Sequence, residues 1–180
     1  DGFGSGFLHD RVAVGDSLEV SAPAGDFFLE PSDAASPGSP ILLLSGGVGV
    51  TPMLAMLHML SATRSPRDVV FLHCARTQSA LAFQEEVSAA ARAHGSTQVH
   101  VRLSHGDGKS ADSTGFLDAG LIEQLVPSGD ADVFLCGPPP FMGAARLALA
   151  SAGIGADRVR SEAFGPEVAT PPLGARDPAN

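Results

Sequence analysis

The sequence predicts an α/β fold built on a five-stranded parallel sheet, and three observations lead to this prediction. Short, strongly apolar runs alternate with segments of helical spacing from residue 41 onward. The first run, residues 41–44 (ILLL), has the consecutive large aliphatic residues of a strand that is buried on both faces. Turns rich in glycine or proline follow two of these runs, at residues 45–52 and 137–140. Since parallel strands end at one edge of a sheet, we expect these turns to lie together there.

The predicted elements alternate between strand and helix along the chain. The first strand leads into a helix with Thr51 as its N-cap and Pro52 in the first helical position. Asp118 is placed to cap a shorter helix, and Gly153 and Gly155 end the last one. The predicted strands are 41–44, 69–74, 98–103, 132–136 and 158–164. The other predicted helices are 80–94, 119–126 and one that a proline of residues 138–140 opens and that runs to about Ala152.

The segment before residue 35 has a different pattern. Residues 12–14 and 18–20 alternate apolar and polar side chains around a turn, and residues 22–29 predict a further turn and short strand. Residues 31–40 are rich in Ser, Ala, Asp and Pro, so we expect a domain boundary there. The predicted domains are 1–34, the incomplete C-terminal part of an antiparallel barrel; 35–166, the α/β domain; and 167–180, a Pro/Ala-rich tail or linker.

The composition argues against several classes of function. A formal charge of −9 and a pI near 4.9 disfavour nucleic acids and anionic membranes as partners. No apolar run reaches membrane-spanning length and no signal peptide is evident, so a cytoplasmic location is expected. The two cysteines, Cys74 and Cys136, are too few for a disulfide framework or an iron–sulfur cluster. The chain begins with Asp1 rather than methionine, which suggests a piece of a longer protein.

Residues 45–52 have the features of a phosphate-binding turn. Gly47 and Gly49 permit a sharp turn and leave no side chain to block a ligand. The helix that follows directs free N–H groups and its positive dipole end at the turn, which favours an anion such as a nucleotide pyrophosphate. The pattern GxGxxP is neither the GxGxxG fingerprint nor a Walker loop. Tight packing between strand and helix is the structural alternative for these glycines.

Several motifs together resemble the ferredoxin–NADP reductase superfamily, and in particular its flavohaemoglobin-type branch. Residues 47–57 (GVGVTPMLAML) are similar to the family's NAD(P) pyrophosphate loop, and residues 136–142 (CGPPPFM) to its nicotinamide-side motif. Residues 162–166 (EAFGP) resemble its C-terminal flavin motif. Residues 2–8, with Gly2 and Ser5, are similar to its FAD pyrophosphate motif, and the LHD and APAGDFF segments are also typical of the branch. The combination of motifs, from residue 2 to residue 166, makes the resemblance specific.

The resemblance implies a two-domain flavoenzyme, in which an antiparallel barrel holds FAD and a Rossmann-like α/β domain binds NAD(P)H. Hydride would pass from NAD(P)H to FAD, and electrons would leave for a metal centre in a domain outside this chain. In the leading hypothesis that centre is the haem globin of a nitric oxide dioxygenase. The alternative is a plant-type 2Fe-2S ferredoxin domain of an oxygenase system, which the long tail after Pro166 favours. A non-catalytic NAD(P)H sensor is a third hypothesis.

The resemblance also implies roles for individual residues. Glu162 corresponds to an acidic residue that tunes flavin and haem potentials, and it is the candidate catalytic residue. Cys136 would lie near the nicotinamide C4, and Phe164 would shield the flavin ring. Each of the three has a structural alternative. Glu162 would be a solvated carboxylate, Cys136 a small side chain that fills space in the core, and Phe164 a core aromatic. The candidate cofactor-binding residues are Gly2, Ser5, Gly47, Val48, Gly49, Val50, Thr51, Pro52, Arg76, Cys136, Gly137, Pro138, Ala163, Phe164, Gly165 and Pro166, and no metal ligand is predicted.

Two features bear on the coenzymes. Arg76 follows the second predicted strand, where Rossmann-like folds contact the adenosine ribose, and an arginine there favours the 2′-phosphate of NADPH. Reductases of the flavohaemoglobin type usually favour NADH, so the preference stays open. The family's RxY[ST] flavin motif has no counterpart, since the chain contains no tyrosine. The chain alone is therefore expected to bind FAD poorly and to be inactive by itself.

Overall fold

The computed structural model describes residues 3–35, 38–105 and 111–164, which form a parallel sheet with helices on both faces. Gly2, Gly165, Pro166 and the tail at 167–180 lie outside the described residues. The strands are β1 (Ile41–Gly46), β2 (Val69–Ala75), β3 (Thr97–Leu103), β4 (Ser113–Thr114), β5 (Asp132–Gly137) and β6 (Val159–Ala163). The helices are α1 (Phe3–Arg11), α2 (Pro31–Ala35), α3 (Val50–Ala62), α4 (Gln84–His94), α5 (Ala119–Leu125) and α6 (Pro139–Ser151). None of these described helices has the length and apolarity that a membrane crossing requires.

The strand order β4-β3-β2-β1-β5-β6 makes the fold doubly wound, and each of these pairings is parallel. The chain builds outward from β1 to β4 and then crosses back to place β5 on the other side of β1. The order therefore reverses between β1 and β5, which is where open α/β sheets bind ligands, beyond the carboxyl ends of their strands. The α/β, Rossmann-like fold predicted from the sequence is confirmed.

The described part of the sheet has six strands rather than the predicted five. The additional strand, β4, is two residues long and pairs with β3 at Arg102↔Ser113 and Leu103↔Thr114. The sequence did not reveal it, because a strand this short in a polar segment carries no apolar alternation. The other five strands lie close to their predicted ranges.

Two helices begin at other residues than predicted. α3 begins at Val50 with Gly49 as its N-cap, so Thr51 is not the cap and Pro52 is not the first helical residue. The reason is a 3₁₀ turn at Gly47–Gly49, which already winds the chain toward the helix. α4 begins at Gln84, because a separate 3₁₀ turn and a left-handed Phe83 (φ 59°) precede it.

Two apolar clusters, one on each face of the sheet, form the core. α3 and α4 cover one face, where Ile41 and Leu43 are fully buried, and α5 and α6 cover the other, where Leu42 and Leu44 are fully buried. Alternate residues of β1 thus point into opposite clusters. This accounts for its unbroken apolar run, since a strand between two helical layers has no solvent-facing side.

The N-terminal segment differs from the strands predicted for it. α1 has no buried residue, and residues 12–29 form no strand. The predicted strands there are therefore wrong in this structure: no described strand pairs with their backbone groups, and the side chains of Val14 and Val20 are exposed. Further along, Leu29 and Ala34 are buried in the cluster under α3. Both precede the predicted boundary of the α/β domain but contribute to its core.

Candidate functional site

Three of the predicted segments lie side by side at the carboxyl edge of the sheet, where the strand order reverses. Ser45 of β1 pairs with Cys136 of β5, and Cys136 pairs with Glu162 of β6. Phe164 continues this edge, and its backbone N–H donates a hydrogen bond to the Gly137 carbonyl at 3.2 Å. The predicted meeting of these segments at one edge is confirmed for the residues up to Phe164.

The turn after β1 is open at Gly47. This residue has a φ of 55°, a left-handed conformation that favours glycine, and a Cβ added to it would have no atom within 4 Å. α3 begins directly after the turn, and no side chain caps its first N–H groups. Those N–H groups and the helix dipole attract an anion, and the missing side chain of Gly47 leaves its approach clear.

The other glycines of this edge are required by packing. A Cβ on Gly49 would lie 2.2 Å from the carbonyl oxygen of Cys136, which is far inside contact distance. A Cβ on Gly46 or on Gly137 would lie 2.6 Å from the Phe141 ring, which rests on both strand ends. Tight packing between strand and helix therefore explains Gly49, whereas the missing side chain of Gly47 keeps the turn accessible.

The remaining residues of the turn differ in their exposure. Val50 is buried in the core, Val48 and Thr51 are exposed, and Pro52 is half-buried. The Thr51 hydroxyl donates a hydrogen bond to the Val48 carbonyl at 3.1 Å. A pyrophosphate oxygen only accepts hydrogen bonds, so it would have to displace this carbonyl in order to bind the hydroxyl.

A cleft of about 450 Å³ extends from the turn across the carboxyl ends of β2 and β3. Its volume is in the range of small-molecule sites, and apolar atoms make up most of its walls. Arg76, which follows β2, lies on this cleft, and its side chain makes no hydrogen bond or ion pair with any described residue. Pro138, which precedes α6, lies on the cleft as well, next to the turn.

A second depression of about 450 Å³ lies at the opposite edge of the sheet. Pro40, Asp68 and Leu125 are among its lining residues, and none of the predicted site residues is. Since ligands of doubly wound sheets bind at the carboxyl ends of the strands, the cleft beside Gly47 is the candidate site.

Arg102, Phe116 and Phe141 are among the cleft residues that the sequence did not identify as candidates. Arg102 lies near the end of a predicted strand, and this position beside the carboxyl edge is the signal that could have identified it. Phe141 belongs to the CGPPPFM motif, but its packing on Gly46 joins segments far apart in the sequence. Phe116 follows a polar segment, and no sequence signal marks it.

Cys136 is fully buried in the cluster under α3, next to exposed Glu162. Burial, and after it the negative charge of Glu162, raises the pKa of the Cys136 thiol to about 11, against a smaller opposite effect of a hydrogen bond with the Gly137 backbone. The thiol is therefore neutral at physiological pH and unsuited to act as a nucleophile. A contact with a nicotinamide would require this side chain to become exposed, so its role stays a prediction.

The flavin candidates are divided between two places. Glu162 and Ala163 are exposed on β6, and Phe164 is 36% exposed just beyond it. A carboxylate and an aromatic ring thus stand at the surface beside the end of β5. Ser5 lies exposed on α1, and the structure does not bring it into the cleft.

A buried pair of polar side chains lies directly beneath the turn. Ser45 Oγ and His73 Nδ1 are 2.8 Å apart, and both residues are buried. Burial lowers the pKa of His73 to about 4, and a hydrogen bond with the Ser45 backbone opposes this with a smaller effect. The imidazole is neutral at physiological pH and serves the packing of β1 against β2. Within the described ranges, no group of three or more His, Cys, Asp or Glu side chains could hold a metal ion.

These features fit an extended ligand with negative charge at its centre. The turn at Gly47 offers an anion site between two different surroundings. On one side lies the apolar cleft, with Arg76 on its wall, which pairs with no described residue. On the other side lie the ends of β5 and β6, with Cys136, Glu162 and Phe164. A dinucleotide, with its pyrophosphate between two ring systems, has this layout.

Comparisons with known proteins agree with this geometry. A sequence profile of the oxidoreductase NAD-binding domain family matches residues 43–147. A flavohemoprotein of Bordetella pertussis is 41% identical over 169 residues, which are 91% of this chain and 41% of that protein. The flavohem-like FAD/NAD-binding domain of nitric oxide dioxygenase from Vibrio cholerae has a TM-score of 0.77 at 33% identity, covering 90% of this chain and 64% of that one. The flavohemoglobin of Malassezia yamatoensis, solved with bound FAD and heme, has a TM-score of 0.69 at 31% identity. This match covers 82% of this chain and 39% of that one.

The profile match takes in more than half of the chain, including the turn at Gly47 and the CGPPPFM motif. The chain spans about 41% of the length of the Bordetella relative. The resemblance to flavohaemoglobin-type reductases that the motifs indicated is confirmed. The chain belongs to the oxidoreductase NAD-binding domain family, within the ferredoxin–NADP reductase superfamily.

Proposed function

We propose that this chain binds NAD(P)H and presents it to FAD, as the reductase part of a flavohaemoglobin-type nitric oxide dioxygenase that passes electrons on to haem. One observation carries the proposal: the accessible turn at Gly47, the 136–138 segment and the end of β6 lie on neighbouring strands at one sheet edge. Packing alone does not require all three there. The identity to flavohemoproteins over 91% of the chain supports the same function.

The proposed arrangement divides the dinucleotide among three surfaces. The pyrophosphate binds the turn at 47–52, chiefly through backbone N–H groups, because the Thr51 hydroxyl already donates to Val48. The adenosine half occupies the cleft beside Arg76. The nicotinamide lies toward Gly137 and Pro138, above the buried Cys136. Glu162, Ala163 and Phe164 then face the flavin, together with Gly165 and Pro166, which lie outside the described residues.

The residues of this chain bind and orient, and they supply no covalent chemistry. When bound, NAD(P)H would supply a hydride and FAD would supply the capacity to accept it and to release electrons singly. Holding the nicotinamide in position converts an encounter between two cofactors into a reaction within one complex, which can lower the barrier by several kcal/mol. The exposed Phe164 ring covers part of the edge and helps to keep water from the reacting faces.

Titration of NADH and of NADPH into the purified chain tests the binding step. We expect saturable binding of at least one coenzyme and a weaker affinity in Gly47→Ala, because the new methyl group would stand at the anion site. Gly129→Ala is the matched control, since Gly129 has a similar φ of 61° but lies next to Ala152, away from the cleft. Absence of binding by either coenzyme would refute the proposal.

Electron transfer requires a second measurement with added FAD. Because the RxY[ST] motif is absent, we expect the chain to bind FAD weakly and to be inactive without added flavin. Reduction of ferricyanide by NAD(P)H is expected only when FAD is supplied. A purified chain that kept stoichiometric FAD would contradict the expected weak affinity for FAD. Intact coenzyme binding without flavin-dependent reduction favours a non-catalytic sensor or a fragment that needs the rest of the flavin site.

The terminal acceptor distinguishes the two electron-transfer hypotheses. The flavohemoprotein relatives favour a haem globin over a 2Fe-2S ferredoxin domain. A flavohaemoglobin globin domain and a plant-type ferredoxin, each supplied separately to the flavin-loaded protein, allow a direct comparison. Faster reduction of the globin is expected, and faster reduction of the ferredoxin would reverse the assignment.

A further inference from the structure

Two arginines line the cleft, and they differ in how their guanidinium groups are engaged. Arg76 makes no hydrogen bond or ion pair with any described residue. In Arg102, by contrast, each guanidinium nitrogen has an acceptor: Nε donates to the Gly115 carbonyl at 3.2 Å, Nη1 to Ser113 Oγ at 3.3 Å, and Nη2 to Asp118 Oδ2 at 2.6 Å. Arg102 is also largely buried, with 11% of its side chain exposed.

The sheet brings these two arginines to the same edge and the same cleft. Cys74 of β2 pairs with Arg102 of β3, and Arg76 follows Cys74 by two residues. Arg76 lies just past the end of β2, and Cys74, Arg76 and Arg102 all line the same cleft. The backbone N–H of His105 donates to the Arg76 carbonyl at 2.8 Å, which holds the two strand ends together.

Asp118 serves two structural purposes with its two carboxylate oxygens. Oδ1 accepts a hydrogen bond from the Leu121 backbone N–H at 2.9 Å and so caps α5. Oδ2 pairs with Arg102. The cap needs only an oxygen acceptor, which Asn and Ser also provide. The ion pair needs the negative charge, so the two purposes can be separated by substitution.

The ribose 2′ position distinguishes NADH, with a hydroxyl, from NADPH, with a phosphate. Guanidinium groups bind phosphate strongly because they combine positive charge with parallel N–H donors. A guanidinium that already pairs with a carboxylate offers less positive charge and fewer N–H donors to a ligand. The carboxylate also repels an incoming phosphate. The state of Arg102 therefore affects what the cleft accepts.

We infer that Asp118 is a specificity-determining residue, which withholds Arg102 from the coenzyme and leaves Arg76 to contact the ribose 2′ position. This inference rests on the proposed binding of a dinucleotide in the cleft. The Arg102–Asp118 pair would then lower the affinity of the cleft for 2′-phosphorylated adenosine relative to adenosine without that phosphate. Loss of the Asp118 charge frees Nη2 of Arg102 to bind the phosphate.

The test compares two probes, adenosine 2′,5′-bisphosphate and adenosine 5′-monophosphate, by calorimetric titration of the 180-residue chain. For Asp118→Asn we expect the affinity for the bisphosphate to rise about tenfold relative to the monophosphate, the effect of one additional hydrogen bond to a charged group. Asp118→Ser also keeps the cap and should raise the affinity for the bisphosphate relative to the monophosphate by a similar factor. Adding Arg102→Gln to Asp118→Asn should return the ratio to the wild-type value.

Asp130→Asn is the matched control. Asp130 pairs with Arg158 at the same distance of 2.6 Å, its side chain is 59% exposed against 57% for Asp118, and it lies at the amino edge of the sheet. The same change in net charge there should leave the ratio unchanged. A rise in Asp130→Asn equal to that in Asp118→Asn would show a general charge effect and overturn the inference.

The remaining outcomes separate this inference from the proposed function. If NADH binds the wild-type chain but Asp118→Asn and Asp118→Ser leave the ratio unchanged, the inference alone is wrong. If both variants weaken the two probes equally, Asp118 acts only through the fold, and the inference again is wrong. If the wild-type chain binds neither the probes nor NADH, the proposed function fails and the inference falls with it.

Discussion

Gly47 and Gly49 stand two positions apart in one turn, yet they lack a side chain for different reasons. Gly47 needs a left-handed backbone and has open space around it. Gly49 has an ordinary φ of −61° but lies against the backbone of β5. The sequence pattern GxGxxP presents them as equivalent, and the tertiary contacts separate them.

Alanine substitutions should distinguish these two glycines. Gly49→Ala is expected to lower the free energy of unfolding by about 3 kcal/mol, because the Cβ would force β5 and the turn apart. Gly47→Ala is expected to lower it by about 1 kcal/mol through backbone strain and to weaken coenzyme binding as well. Urea denaturation measures the first quantity and NADH titration the second. Equal losses of stability in both variants would contradict this assignment.

His73 makes the stability of the protein depend on pH. The unfolded chain takes up a proton at the ordinary pKa of 6.5, whereas the folded chain does so only near the lowered pKa of about 4. Between these values the unfolded state binds more protons, so the free energy of unfolding falls as the pH falls from 6.5 to 4. The loss attributable to His73 reaches roughly 3 kcal/mol and grows no further below pH 4.

Urea denaturation of the wild type and of His73→Gln at pH 7, 5 and 4 checks this prediction. The variant keeps a polar group near Ser45 but has no proton to take up in this range, so its stability should fall less on acidification. His58→Gln, at an exposed position of α3, controls for the substitution itself. The same acid dependence in His73→Gln and wild type would show that another group is responsible.

At the scale of single elements, α5 depends on the cap that Asp118 provides. Asp118→Ala removes both the cap and the ion pair with Arg102, and we expect it to lower the free energy of unfolding by about 1–2 kcal/mol. Asp118→Asn keeps the cap and should cost less than about 1 kcal/mol, since a partly exposed ion pair contributes little. Thermal or urea denaturation measures both. Equal effects would mean that the cap is unimportant.

The amino edge of the sheet is held by ion pairs between β5 and its neighbours. Arg67, 4% exposed, pairs with Asp132 and donates to the Ser39 carbonyl, with its Nε at 2.8 Å from that oxygen. Arg158, 29% exposed, lies 3.6 Å from Asp132 and pairs more closely with Asp130. These contacts tie the segment before β1 to the start of β5.

The difference in burial predicts unequal effects of removing these arginines. Arg67→Met is expected to lower the free energy of unfolding by about 3 kcal/mol, because it removes a nearly fully buried guanidinium that donates to the partly buried Ser39 carbonyl and to the Asp132 carboxylate. Arg158→Met is expected to lower it by less than about 1 kcal/mol, because water can replace a partly exposed partner. Urea denaturation of the two variants provides the comparison. A larger loss in Arg158→Met would contradict the ranking by burial.

For the whole molecule, the doubly wound sheet separates stability from ligand binding. Residues such as Arg67 act at the amino edge, whereas the turn, the cleft and the end of β6 share the carboxyl edge. The reversal of strand order between β1 and β5 opens the space that the ligand needs. Although the overall charge is −9, the first N–H groups of α3 and the Arg76 guanidinium supply positive charge at this edge for an anionic ligand.

Coenzyme binding should therefore stabilise the whole fold. A ligand that binds only the folded state adds about 2.7 kcal/mol to the free energy of unfolding at a concentration of 100 Kd. We expect NADH to raise the melting temperature of the wild type in proportion to this added free energy of unfolding. At the same NADH concentration the melting temperature of Gly47→Ala should rise by less. Gly129→Ala should respond as the wild type does. A melting temperature that NADH leaves unchanged would count against binding at this site.

Much of the fold could be predicted from the sequence, because the signals are local. The apolar run of β1, the alternation of strands and helices, and Asp118 as a cap each depend on neighbouring residues. Predictions failed where longer-range contacts decide. The residues of the predicted N-terminal strands pair with no strand in the described part of the chain, and β4 exists only through its pairing with β3. The 3₁₀ turn moved the start of α3 ahead of Thr51.

By itself, the sequence determined the alternation of the longer strands and helices from residue 41 onward, the parallel sheet and the place of the turn at Gly47. These follow from hydrophobic periodicity and from backbone preferences, which act between residues close along the chain. Only the tertiary structure decided which residues meet: Gly49 with the Cys136 carbonyl, His73 with Ser45, and Arg102 with Asp118. Such contacts depend on strand register and helix packing, so residues far apart in the sequence acquire their roles only when the chain is folded.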